Sequence, residues 1–111
     1  MSSAQRILLN TNEAIHLVQI QNILYCKCNN SSTTFYLTNH ETISISRNIK
    51  EVEKQLNDSG FFRSHQSYLV NINHIVEIKK TDNYVMVLSD RSHIPVSIRK
   101  RKEILRILLK G

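Results

Sequence analysis

Between two apolar anchors, Phe61-Phe62 and Tyr68-Leu69-Val70, the chain carries five consecutive hydrogen-bonding side chains: Arg63, Ser64, His65, Gln66 and Ser67. Burying such a run would leave polar groups without partners, so it is expected to form an exposed turn held rigidly at both ends, as a recognition loop is. A second segment, Pro95 to Lys102, ends in the four cations Arg99, Lys100, Arg101 and Lys102. A guanidinium donates two parallel hydrogen bonds that match guanine O6 and N7, which makes Arg99 a candidate base reader. Gln66 could pair in the same bidentate way with adenine, or use its amide to stitch the turn to its own backbone. A third polar cluster, Asn29-Asn30-Ser31-Ser32, lies between two strand patterns, where a hairpin turn belongs.

The residue types needed for catalysis are present but not arranged for it. The five histidines (His16, His40, His65, His74 and His93) are scattered without an HExxH pattern, and the only glycines are Gly60 and Gly111, so no phosphate-cradling loop exists. Ser67 stands near His65 without a nucleophile elbow, an acid partner or an oxyanion motif. Cys26 and Cys28 are two positions apart on a strand pattern, facing one side at a spacing that does not favour a mutual disulfide, and are expected to be ordinary reduced thiols. No enzymatic activity, metal or cofactor is expected.

Charge points to a polyanion. The net charge is +6, and the whole excess lies from Lys79 onward, where Lys79, Lys80, Arg91, Arg99, Lys100, Arg101, Lys102, Arg106 and Lys110 face only Asp82, Asp90 and Glu103. Such asymmetry implies a positive face, for which a nucleic-acid backbone is the usual counterpart; a solvated basic helix that aids solubility is the plainer explanation. There is no apolar run of membrane-spanning length and no signal-peptide pattern.

At 111 residues, with 41% hydrophobic residues, the chain is expected to be a single domain over 1-111 with a small core, its first five residues disordered. Short strand patterns dominate: Arg6 to Leu9, Ala14 to Gln19, Ile23 to Cys28, Thr33 to Thr38, Thr42 to Ser46, Phe61 to Ser64, Ile75 to Lys79, Tyr84 to Ser89 and His93 to Val96. Two segments have helical period. Asn48 to Asn57 places Ile49, Val52 and Leu56 on one face, with Ser46 or Asn48 as N-cap and Gly60 as terminator. Arg99 to Lys110 is expected to turn Ile98, Leu105 and Leu108/Leu109 inward. The fold class is therefore mainly β with two short helical segments. About forty residues of strand and loop pattern separate those helices, so a helix-turn-helix has no place, and loops must do any base reading.

The stretch Phe61 to Asn71 (FFRSHQSYLVN), together with Ile23-Leu24-Tyr25 before a polar turn and Pro95 to Leu105 (PVSIRKRKEIL), resembles the LytTR family of bacterial DNA-binding domains over roughly Ile7 to Leu109. The resemblance implies an elongated stack of small antiparallel β-sheets that inserts loops into successive major grooves, acting as the output domain of a two-component response regulator in the bacterial cytoplasm. It implies base contacts from Arg99, Gln66 and the Asn29 to Thr33 turn, represented by Ser32. Ser31 and Ser32 stand there in place of a larger donor such as histidine, so reading by this turn is expected to be weak. His65 is expected in an orienting or phosphate-facing role, and Ser67, Ser97, Lys100, Arg101 and Lys102 at the DNA backbone, with Ser97 alternatively an N-cap. The partner implied is double-stranded DNA carrying promoter direct repeats, with a second copy on a tandem half-site. The competing reading is a small basic β-rich module for RNA or protein; against it, the aromatics fall mostly within apolar strand patterns rather than in an exposed stacking row.

Overall fold

Strict alternation of inward and outward side chains builds the centre of this molecule. In β4 (Ser32–Leu37) the residues Thr33, Phe35 and Leu37 are buried while Ser32, Thr34 and Tyr36 are half-buried, the period-two pattern of a strand with something packed on each face. The computed structural model describes residues 5–81 and 83–110. Most of the expected N-terminal disorder, residues 1–4, lies outside the described residues; the Gln5 carbonyl accepts a 2.9 Å hydrogen bond from the Ile20 N–H.

Ten strands and two helices are present among the described residues: β1 (Arg6–Asn10), β2 (Ile15–Gln19), β3 (Ile23–Asn29), β4, β5 (Thr42–Ile45), α1 (Ile49–Gln55), β6 (Phe61–His65), β7 (Tyr68–Asn71), β8 (Ile75–Lys79), β9 (Val85–Leu88), β10 (His93–Pro95) and α2 (Arg101–Lys110). They form three antiparallel sheets: a β1-β2 ribbon, a five-stranded sheet ordered β5-β4-β3-β7-β6, and a three-stranded sheet ordered β10-β9-β8. The five-stranded sheet lies between two cores. On one face Cys26, Phe35, Ile43, Ile45 and Leu69 pack with Ile7, Leu9 and Val18 of the ribbon and with Ile49, Val52 and Leu56 from the α1 side. On the other, Leu24, Phe62 and Val70 pack with Met86, Leu88, Ile94, Val96 and Ile104. The resulting stack measures 42 × 38 × 24 Å.

A bulge serves both cores. The pairing runs Ile23 opposite Leu37 and then Tyr25 opposite Tyr36, so Leu24 is the extra residue. Leu24 and Tyr25 therefore both join the second core, and Cys26 returns to the first. Burial pushes the Cys26 thiol well above its ordinary range, which keeps it protonated and inert, and both cysteines are free. Tyr25 stacks on Tyr36 with centroids 4.4 Å apart and lies 6.1 Å from Tyr68; burial, and then Tyr36, raises its phenol above the usual 10.0.

Of the two expected N-caps, Ser46 and Asn48, it is Asn48 that caps α1: its side chain accepts from the Glu51 N–H while the Glu51 carboxylate accepts from the Asn48 N–H, a reciprocal capping box. After it Gly60 adopts φ +84°, a conformation that side-chain-bearing residues rarely tolerate, and the chain reverses into β6. Two expectations need correction. The five-residue exposed turn is only the pair Gln66-Ser67, because β6 continues through His65 and its alternation sends Ser64 fully inside. The last helix begins at Arg101 rather than Arg99, after a 3-10 turn over Ile98–Lys100. That tighter turn changes the helical phase, so Ile104 is the fully buried residue with Leu108 beside it, while Ile98 and Leu109 are 75% and 84% exposed.

Among the described residues three polar side chains are buried, and they differ in how they are satisfied. The Thr33 hydroxyl donates to the Arg47 carbonyl at 2.7 Å. Asn71 donates to the Ile23 carbonyl at 2.9 Å and accepts from the Asn73 N–H at 3.1 Å, joining β7 to β3. The Ser64 hydroxyl has no partner among the described residues. We expect Asn71→Ala to lose about 1–3 kcal/mol by orphaning two backbone groups, while Ser64→Ala loses nothing or gains stability. Urea denaturation midpoints of the two variants check this, and a large loss for Ser64→Ala would contradict the unpaired hydroxyl.

Candidate nucleic-acid interface

Backbone hydrogen bonds bring three separate segments to one end of the stack. Lys27 of β3 is paired with Tyr68 of β7, and the Cys28 N–H donates to the Ser67 carbonyl at 2.9 Å. The β3-β4 turn (Asn30-Ser31) and the β6-β7 turn (Gln66-Ser67) consequently leave the five-stranded sheet side by side. The Ser97 N–H donates to the Ser64 carbonyl at 2.8 Å, which fastens the basic 3-10 turn to β6. Between them lies an open groove of about 380 Å³ lined by Glu53, Arg63, His65, Gln66, Ser97, Arg99 and Lys100. Five of the residues picked out in the sequence, His65, Gln66, Ser97, Arg99 and Lys100, thus meet in one place. A larger hollow of about 700 Å³ lies by the β1-β2 connection, but its charged lining is only Glu13 and Arg47, which gives it no bias toward an anion.

The two turns are held differently. Arg63 clamps the second from beneath: Nε donates to the His65 carbonyl at 3.1 Å, Nη2 to the Gln66 carbonyl at 2.7 Å, and Nη1 to Glu53 Oε1 of α1 at 2.7 Å. With its side chain 16% exposed, this guanidinium is committed to the fold. His65 completes the brace, since Nδ1 accepts from the Ser67 N–H at 3.1 Å and the ring meets Tyr68 edge-on at 5.8 Å. Gln66 is left exposed at the tip. In the first turn Asn30 takes φ +61° and stands exposed with Ser31, whereas Ser32 is half-buried and its hydroxyl donates to the Asn29 carbonyl at 3.0 Å. The reach toward a ligand here belongs to Asn30 and Ser31 more than to Ser32.

The basic segment divides its cations. Arg99 and Lys102 are exposed and have no carboxylate partner among the described residues. Lys100 sits 5.5 Å from the Phe62 ring centroid, with Nζ 3.5 Å from Glu103. Arg101 lies over Tyr84 at 5.0 Å and donates to Asn83 Oδ1 at 3.2 Å, so it also anchors α2. Ser97 occupies the N-cap position of the 3-10 turn, but its side chain makes no cap bond. Sequence reasoning counted Arg63 among the exposed turn residues and passed over Glu53. Their ion pair spans ten positions and two elements, and only its charges were readable in advance.

The family model of the LytTr DNA-binding domain matches residues 13–109. The chain belongs to the LytTR family of DNA-binding domains. Sensory transduction protein LytT of Bacillus subtilis is 31% identical over 105 residues, covering 93% of this chain and 43% of that protein. Transcriptional regulatory protein LytR of Staphylococcus aureus is 32% identical over 84 residues, covering 76% of this chain and 34% of that protein. The chain spans less than half the length of these relatives. A solved LytTr DNA-binding domain of a putative methyl-accepting/DNA response regulator from Bacillus cereus superposes with a TM-score of 0.79 over 96% of this chain and 98% of that one; at 21% identity it attests the shared fold. No helix among the described residues of this LytTR domain is long and apolar enough to cross a membrane.

If Arg63 is the clamp, Arg63→Lys keeps the charge but cannot hold two carbonyls and a carboxylate at once. We expect a stability loss of about 1.5–3 kcal/mol, the worth of a hydrogen bond to a charged group, and faster amide exchange at Gln66 and Ser67. Exchange rates read by NMR in the folded variant check the local effect, and unchanged protection of the turn would remove Arg63 from this role.

Proposed function

We propose that this LytTR domain reads duplex DNA with the end of the stack that carries the two hairpin turns and the 3-10 turn. The observation that carries the reading is the convergence of Gln66 and Arg99, both exposed, on one groove, with the free cation Lys102 just beyond Arg99. Arg99 takes a guanine edge in the major groove, Gln66 reads a neighbouring base directly or through water, and Ser32, with Asn30 and Ser31, approaches a second groove through the first turn. Lys100, Lys102, Ser67 and Ser97 serve phosphates, with His65 and Arg101 contributing at the backbone from their braced positions. A backbone contact positions the domain without specifying sequence, so this division assigns specificity to few side chains.

In this reading the domain has no enzymatic activity. It is the output module of a bacterial two-component response regulator, works in the cytoplasm where promoters are, and binds direct repeats with a second copy on the tandem half-site. The relatives' greater length leaves room for a sensing or receiver portion, and their names, a sensory transduction protein and a transcriptional regulatory protein, agree with that assignment.

Selection from a randomised duplex pool, followed by salt-dependent anisotropy, tests the whole reading. A recovered motif is expected, with clear preference over scrambled duplex and single-stranded RNA. Arg99→Ala should cost about 1–3 kcal/mol at one base pair and flatten preference there. Lys102→Ala should weaken all sequences alike and lower the salt slope by about one unit. Equal binding to scrambled duplex and RNA would make the basic end a general polyanion surface.

A further inference from the structure

Ile98 is out of place by the ordinary rules of folding. It is 75% exposed, the most exposed large apolar side chain among the described residues apart from Leu109 in the last turn of α2. Neither core uses it: the second core takes its contribution from α2 through Ile104 and Leu108. Full burial of an isoleucine stabilises by a few kcal/mol, and this position forgoes it. Yet the mount is firm. The preceding N–H, that of Ser97, is bonded to the Ser64 carbonyl at 2.8 Å, and the Lys100 N–H closes the turn on the Ser97 carbonyl at 2.9 Å. A rigid turn therefore holds an aliphatic side chain out into solvent between Ser97 and Arg99, two residues that line the groove.

The surroundings say what kind of surface this side chain meets. Every residue lining the groove is polar or charged, and the basic run Arg99 to Lys102 follows directly. A protein-docking patch needs contiguous apolar area, which a lone isoleucine among cations and amides does not supply. A polyanion fits the charge, and the major groove of DNA presents one apolar group that an isolated aliphatic side chain can recognise, the 5-methyl of thymine. We propose that Ile98 is a specificity residue that packs on a thymine methyl beside the base taken by Arg99. This rests on Arg99 entering the major groove, and it adds that the pair of side chains reads two adjacent positions, one by hydrogen bonds and one by apolar contact.

The test uses the selected duplex and replaces its thymines one at a time by deoxyuridine, which removes only the methyl group. One replacement, next to the base pair sensitive to Arg99→Ala, should weaken the unmodified protein about fourfold, the worth of one buried methylene-sized group. Ile98→Ala should bind the thymine and uracil duplexes equally, and Ile98→Val should keep most of the discrimination. A double-mutant cycle between side chain and methyl isolates this contact from any change in DNA stacking. Urea denaturation of Ile98→Ala should match the parent, since the side chain is outside both cores. The proposal is overturned if no single uracil matters to the parent, or if the same uracil penalty persists in Ile98→Ala, while site preference and the Arg99 effect remain. Loss of site preference in the parent itself would instead overturn the base-reading function, and this contact with it.

Discussion

A single sheet that must bury both of its faces is the constraint on which the rest of this molecule depends. On one face Cys26, Phe35 and Leu69 of β3, β4 and β7 pack into the first core, and on the other Leu24 and Val70 of β3 and β7 pack into the second, so a one-residue slip would exchange the two sets. The Leu24 bulge makes the exchange within β3, giving the second core two successive residues before Cys26 restores the alternation, and a further register shift falls in β6 between Phe62 and His65. With register pinned in this way, the positions of the β3-β4 and β6-β7 turns follow from strand length. The end that carries these turns is held by the paired strands beneath it.

From that sheet, function is assembled by fastening rather than by a dedicated recognition helix. The 2.8 Å bond from Ser97 to Ser64 carries the C-terminal cations to β6, and Arg63 carries the Gln66 turn on a fork anchored in α1. Cations close in sequence acquire distinct tasks once packed: Arg101 and Lys100 lie against aromatic rings, and Arg99 and Lys102 remain open to a ligand. A preformed, braced site binds with less ordering cost than a flexible basic tail of the same charge, while sequence preference itself comes from contacts to base edges.

Much of the fold was legible beforehand because it rests on local rules. Periodicity located nearly every strand, Asn48 as one of two candidate N-caps and Gly60 bracketed α1, and the motifs from Phe61 to Asn71 and Pro95 to Leu105 pointed to the family that residues 13–109 match. Legibility failed where a residue's neighbour is decided at long range. Ser64 read as part of a polar loop, yet the alternation of β6 buries it. Ile98 read as a core residue, yet the 3-10 turn over Ile98–Lys100 rotates it outward and passes the inward position to Ile104.

By itself, then, the sequence determined the mainly β class, the gathering of positive charge in the last third and the identity of the motif residues, since these depend on composition and on spacing within one element. Only the tertiary structure decided which of those residues share a groove, which cations lie against aromatic faces and which apolar side chains stand exposed. The physical reason is that a side chain's availability is set by what packs against it, and here Glu53 for Arg63, Ser64 for Ser97 and Asn83 for Arg101 are partners ten or more positions away.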